Sequence, residues 1–187
     1  MTAAPDRPAT AGAGADAATS AATGAATGVE TGEFRSVMGR FVTGVTVVTV
    51  LDRTGPHGIT VNSFTSLSLD PPMIMVCLRR AGRGAAVLRR SAHFGVSILG
   101  AHQEPLGRLF ARADRPAGAA AFDDVPHRTG IGGVPLIDGA AAQLECRVHQ
   151  RIRAGDHLMC LAEVVGLHVD SAVDALAFHR GRFLAVA

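Results

Sequence analysis

The hydrophobic pattern along the chain predicts more strands than helices. Phe41 to Leu51 (FVTGVTVVTVL) is rich in β-branched residues with apolar side chains on both faces, which predicts a buried strand. Asp52-Arg-Thr-Gly-Pro56 reads as a turn, and His57 to Asn62 as the returning arm of a hairpin. Met73 to Leu78 and His93 to Leu99 predict two further strands, separated by a short helix over Gly84 to Arg90. Helical spacing occurs at Phe34 to Arg40 and at Pro105 to Ala113, where Leu106, Leu109, Phe110 and Ala113 share a face. Residues 114–140, rich in Gly, Pro and Asp, read as loop. From Gln143 to Arg153, Leu144, Cys146, Val148 and Ile152 face one way; Gln143, Glu145, Arg147, His149, Arg151 and Arg153 face the other. A Gly155-Asp156 turn then sends His157 to Val169 back as an antiparallel partner. The sum is a mainly β protein with peripheral helices, and a β-barrel fits it best.

Composition changes this picture at one end. Residues 1–32 are Ala, Thr and Gly with almost no large apolar side chain, so they cannot offset the entropy of ordering and read as a disordered tail. The tail lacks the basic start and apolar centre of a secretory signal. A single domain is expected over residues 33–187. The formal net charge of +2 is too small, and the arginines too scattered, to argue for nucleic acid. No run reaches the ~20 apolar residues of a membrane-spanning helix. Three cysteines suggest a reducing, cytoplasmic setting and not a disulfide framework.

Several familiar chemistries fail on spacing. Gly82-Arg-Gly84 follows a strand and opens a helix, but the third glycine of a dinucleotide fingerprint is missing, and strands and helices do not alternate as a doubly wound sheet requires. The helix start with Arg79, Arg80 and Arg83 around it still suits a phosphate. No metal-ligand spacing stands out among the eight histidines, and His157 and Cys160, three apart on a strand, point to opposite faces. Cys77, Cys146 and Cys160 read as small core residues. One stretch remains unexplained by core packing: residues 60–68 gather five hydroxyls and an asparagine before Pro71-Pro72 stops the run. Such a stretch suits a ligand with a polar heteroaromatic edge and a phosphate, or a turn that satisfies its own backbone.

Four motifs, in order, carry a family resemblance: FRSVMGRFVTGVTVVT (34–49), PHGITVNSFTSLSLDPP (56–72), AGDH (154–157) and FHRGRF (178–183). The chain resembles the flavin reductase family, the small flavin:NAD(P)H reductases of two-component monooxygenase systems. The resemblance implies an FMN-binding split β-barrel working as a homodimer, with FMN or FAD as cofactor and NADH or NADPH as co-substrate. It implies that Thr60, Asn62, Ser63 and Phe64 line the isoalloxazine, and that Thr65, Ser66 and Ser68 approach the ribityl chain and phosphate. Ser97 would add a flavin contact, His157 would lie beside the nicotinamide, and Arg180 would help close the pocket. Where members commonly carry Ser and Thr after the third strand, this chain has Arg79-Arg-Ala-Gly-Arg-Gly84. Phosphate recognition is therefore expected to fall on Arg79, Arg80 or Arg83.

The activity so implied is hydride transfer to flavin, with reduced flavin released to a partner monooxygenase. Such transfer needs the two rings held in contact and the developing anion stabilised, and no dedicated base. The other reading of the same motifs is a non-catalytic flavin-binding barrel, which would have no use for the Gly-Asp-His.

Overall fold

A computed structural model describes residues 28–186. Residues 1–27, most of the expected tail, lie outside the described residues. The first helix, α1 (Thr31–Met38), starts two residues upstream of the expected domain boundary.

Strand β1 (Thr43–Gly44) is followed by β2 (Thr46–Asp52), β3 (Gly55–Val61), β4 (Phe64–Leu69) and β5 (Pro72–Arg79). Helix α2 (Arg83–Leu88), β6 (His93–Ile98) and α3 (Glu104–Ala111) come next, then short strands β7 (His127–Thr129) and β8 (Pro135–Ile137). The long hairpin β9 (Ala142–Ala154) and β10 (His157–Val169) precedes a small one, β11 (Leu176–His179) and β12 (Arg182–Ala185). One seven-stranded sheet runs in the order β3-β2-β6-β9-β10-β5-β4, and every pairing within it is antiparallel.

The expected buried strand is broken. Phe41 and Val42 are exposed, and Val45 separates β1 from β2. β2 is covered on both faces, as its sequence requires. Val48 and Val50 enter one core; Val45 and Val47 enter another. Thr46 and Thr49 are tolerated there because their hydroxyls donate to Val61 O at 2.7 Å and to Pro135 O at 2.5 Å.

The first core joins β2, β6, β9, β10 and β5 with Ala85, Val87 and Leu88 of α2 and Val61 of β3. The sheet curls: β3 and β4 are its two edge strands, yet only Asn62 and Ser63 separate them in sequence, and the Cys77 N–H of β5 donates to Ser63 O at 3.2 Å where the β4–β5 ladder begins. The second core lies outside, where Phe110 of α3 meets Phe122, Ile137 and Leu99.

Two local expectations need correction. Gln143 faces inward with 4% exposure, because β8 covers that end of β9. Its amide donates to Ile137 O at 2.5 Å, and its oxygen accepts from Arg128 Nε at 2.8 Å. Residues 114–140 are more than loop: they fold into the β7–β8 pair and bury Pro135, Leu136 and Ile137.

Both cysteines of the first core are held as thiols by burial, which pushes Cys146 up to about 12 and Cys160 up to about 11. Cys77 is only partly buried, and all three are unpaired. Native protein is therefore expected to titrate a single accessible thiol with an aromatic disulfide reagent at pH 8, and three after denaturation. Fast native labelling of more than one thiol would show that the first core is open.

Candidate functional site

The end of β3 is the starting point. Its alternation turns Ile59 and Val61 to the first core and Gly58 and Thr60 to α3, where the Thr60 hydroxyl donates to Gly107 O at 2.7 Å. Gly58 is needed because the Cδ1–Cε1 edge of the Phe110 ring of α3 packs on it. A Cβ there would stand 2.5 Å from Phe110 Cδ1 and closer still to Cε1. This close approach sets the distance between β3 and α3, and a groove of about 730 Å³ opens at their ends. The chain beyond β3 (Thr60, Asn62, Ser63) forms one wall, and the end of β5 with the following loop (Cys77, Arg79, Gly82, Arg83) forms another. The C-terminus of α3 with Arg115, and Asp156-His157 at the β9–β10 turn, complete it.

The β9–β10 turn is tied to the loop after β5. Gly155 takes a positive φ of 57° that tightens the turn. The Arg80 N–H donates to Asp156 O at 2.9 Å, and Arg80 Nη1 donates to Gly155 O at 2.9 Å. His157 is thus delivered opposite Arg79 in the β10–β5 register. Its Nδ1 lies 2.7 Å from Asp156 Oδ1. The hydrogen bond from His157, and then its charge, hold the Asp156 carboxyl below the usual carboxylate range, so it is ionised at neutral pH. An ionised acceptor at Nδ1 favours the proton on that nitrogen and leaves Nε2 to meet a ligand.

Of the residues expected at the site, Thr60, Asn62, Ser63, Arg79, Arg83 and His157 are brought together. Phe64 packs half-buried against the first core. Thr65, Ser66 and Ser68 lie on β4, which leaves the groove to pair with β5 as the outermost strand of the sheet. Ser97 is not at the groove: it is fully buried on β6, and its hydroxyl accepts the Ile137 N–H at 3.0 Å, securing β8. Arg180 is also elsewhere, in the β11–β12 turn at φ 50°, with its backbone N–H on Gly39 O at 2.9 Å. Arg80 does not line the groove; its backbone N–H and Nη1 hold the turn carbonyls just described.

The sequence reading missed Arg115 and the end of α3. Arg115 sits in a Pro- and Asp-rich loop with no periodicity, and only the folding of α3 across β3 brings it to the groove. Its Nε donates to Gly58 O at 2.9 Å and its Nη1 to Arg112 O at 2.6 Å. Burial, and then the charge of Arg83, push the Arg115 guanidinium down from its ordinary value.

The donor set suits a flavin nucleotide. The Asn62 amide and the Arg79, Arg83 and Arg115 guanidinium groups line the groove beside apolar Ile59 and Leu78, while the Thr60 and Ser63 hydroxyls donate to Gly107 O and Cys77 O. Among the described residues no group of three or more His, Cys, Asp or Glu is placed to hold a metal, and no helix is long and apolar enough to cross a membrane.

A mainly antiparallel β protein with a nucleotide-sized polar groove at the mouth of a curled sheet defines the class. The chain belongs to the flavin reductase family: residues 38–187 match the flavin reductase like domain. It is 43% identical over 155 residues to an NADH-dependent FAD reductase of Streptomyces globisporus, covering 81% of this chain and 83% of that protein. It is 40% identical to the FMN reductase (NADH) SmoA of Agrobacterium fabrum, with 80% and 83% covered. Among solved structures, the NADH:FAD oxidoreductase SgcE6 of S. globisporus superposes with a TM-score of 0.78 at 42% identity, covering 82% of this chain and 92% of that one. BorF, the flavin reductase component of a bacterial two-component tryptophan halogenase, does so with a TM-score of 0.79 at 37% identity, with 84% and 98% covered.

Proposed function

We propose that the protein is an NAD(P)H:flavin oxidoreductase that passes hydride from NADH or NADPH to FMN or FAD and supplies reduced flavin to a partner monooxygenase. The observation that carries this reading is the convergence of Thr60, Asn62, Ser63, Arg79, Arg83 and His157, from distant parts of the chain, on one groove. The reductase names borne by its relatives support it.

Bound flavin supplies the hydride acceptor chemistry. The chain's part is positional. Asn62 and the backbone N–H of Ser63, whose hydroxyl is taken by Cys77 O at 2.8 Å, offer donors to the polar edge of a planar ligand, where fixed dipoles stabilise developing negative charge. His157, oriented through Nδ1 by Asp156, directs Nε2 toward the second ring and aligns it. The arginines hold phosphate. The groove is open to solvent, so flavin is released as a product and not retained.

The sheet is read as a split barrel, and the working unit as a homodimer. Beyond the core face, β5 and β10 carry Met75, Met159 and Leu161 outward, and the edge strand β4 leaves Leu67 exposed at its bulge. An apolar face of this extent fits a second copy of the chain. Three unpaired thiols agree with a reducing cytoplasm.

The test is oxidation of NADH and NADPH in air, followed at the nicotinamide band with FMN, with FAD and without flavin. Rapid loss that depends on added flavin is expected. Flavin binding without nicotinamide loss would instead identify a non-catalytic flavin-binding barrel.

A further inference from the structure

We propose, resting on the flavin reading above, that Arg83 and Arg115 form a diphosphate clamp that makes FAD the preferred flavin of this chain over FMN. Arg83 opens α2 and Arg115 belongs to the loop after α3, so the two approach the groove from different walls. They are interlocked through backbone carbonyls. Arg83 Nη2 donates to Arg115 O at 2.9 Å and to Ala113 O at 3.2 Å, while Arg115 Nε and Nη1 are taken by Gly58 O and Arg112 O.

These contacts fix the position of two cations without neutralising either one. Among the described residues, neither guanidinium is in an ion pair. The nearest carboxylate in sequence, Asp114, is taken by Arg112 in a two-pronged pair at 3.0 and 2.8 Å. Arg83 Nε and Nη1 and Arg115 Nη2 make no hydrogen bond to protein and remain for a ligand.

Two like charges held together, without an acid between them, are unfavourable until an anion joins them. The free N–H donors on each, Nε and Nη1 of Arg83 and Nη2 of Arg115, suit one phosphate apiece. A monophosphate at the end of FMN meets one guanidinium well; a diphosphate engages both and relieves their repulsion. The groove's size leaves room for the longer ligand, with its adenosine end running into solvent.

Binding of FAD, FMN and riboflavin should be measured by flavin fluorescence for the wild type, Arg83→Gln, Arg115→Gln and Arg115→Lys. Wild type is expected to hold FAD about tenfold more tightly than FMN, one added charge-assisted contact. Both glutamine variants should bring the FAD:FMN ratio near one and leave riboflavin affinity unchanged, and Arg115→Lys should fall between. A ratio that survives in Arg83→Gln and Arg115→Gln overturns the clamp, as does an equal loss for riboflavin, which would mean that Arg115 acts only by tying its loop to Gly58. Should the glutamine variants not fold, wild-type FMN binding is challenged with inorganic pyrophosphate and inorganic phosphate; the clamp predicts stronger competition by pyrophosphate, and equal competition overturns it. If wild type binds no flavin at all, the reductase reading fails, and a thermal shift with pyrophosphate that is lost in Arg115→Gln still decides whether the anion site exists.

Discussion

Gly58→Ala is expected to lower the melting temperature by roughly 2–12 °C, from an overpacking cost of about 1–3 kcal/mol, and to remove most flavin affinity. The backbone at Gly58 has ordinary φ, so the substitution is harmless to the strand itself. The problem is space: the new methyl would overlap the Phe110 ring, which is 0% exposed and fixed between α3 and the second core. Relief requires α3 to move away from β3. That motion pulls Thr60 from Gly107 O and carries Arg115 off Gly58 O, so two walls of the groove shift together. The measurement is thermal unfolding beside flavin titration. Adding Phe110→Leu to Gly58→Ala should restore part of both, because neighbours sharing one space couple non-additively. Unchanged melting and unchanged flavin affinity in Gly58→Ala would refute the claim that this contact shapes the groove.

His157→Ala should cut nicotinamide-dependent turnover by about 10- to 100-fold, the scale of a reacting ring held slightly out of place, while flavin affinity stays within about threefold. The separation follows from location: His157 stands at the β9–β10 turn, across the groove from Thr60 and Asn62. In the proposed mechanism Asp156 acts through His157 as a positioning residue. Asp156→Ala removes the acceptor at Nδ1 and should reproduce part of the loss. Asp156→Asn keeps an acceptor oxygen and should retain most of the activity, a rescue that a merely solvated turn residue would not show. The carboxyl lies below its ordinary range, so its interaction with His157 is present above that range and is lost as the pH falls through the lowered value. Turnover across the neutral range is accordingly insensitive to Asp156 titration. Equal losses of flavin affinity and turnover in His157→Ala would move His157 from the nicotinamide side to the flavin side.

The long hairpin was legible because alternation over thirteen-residue arms is a strong signal, and Gly155-Asp156 marks the turn between them. The hydroxyl-rich stretch was legible as something other than core. Its division was not: Thr60 and Ser63 stay at the groove, while Thr65, Ser66 and Ser68 depart along β4. That split follows from β4 pairing with β5, a contact between segments whose own residues do not announce it. Ser97 shows the converse. The family resemblance implied a flavin contact there, yet its buried hydroxyl is satisfied by a neighbouring segment, the Ile137 N–H.

By itself the sequence determined the class of fold, the β9–β10 hairpin, the position of the Gly-Asp-His and the run of donors after β3, because each depends on local spacing and backbone preference. Only the tertiary structure decided which residues share the groove. Phe110 resting on Gly58 brings α3 across β3 and carries Arg115 to Arg83, and that placement depends on packing between segments some fifty residues apart. Local periodicity contains no record of such contacts, since they are selected by volume and by the pairing of buried polar groups after the sheet has curled.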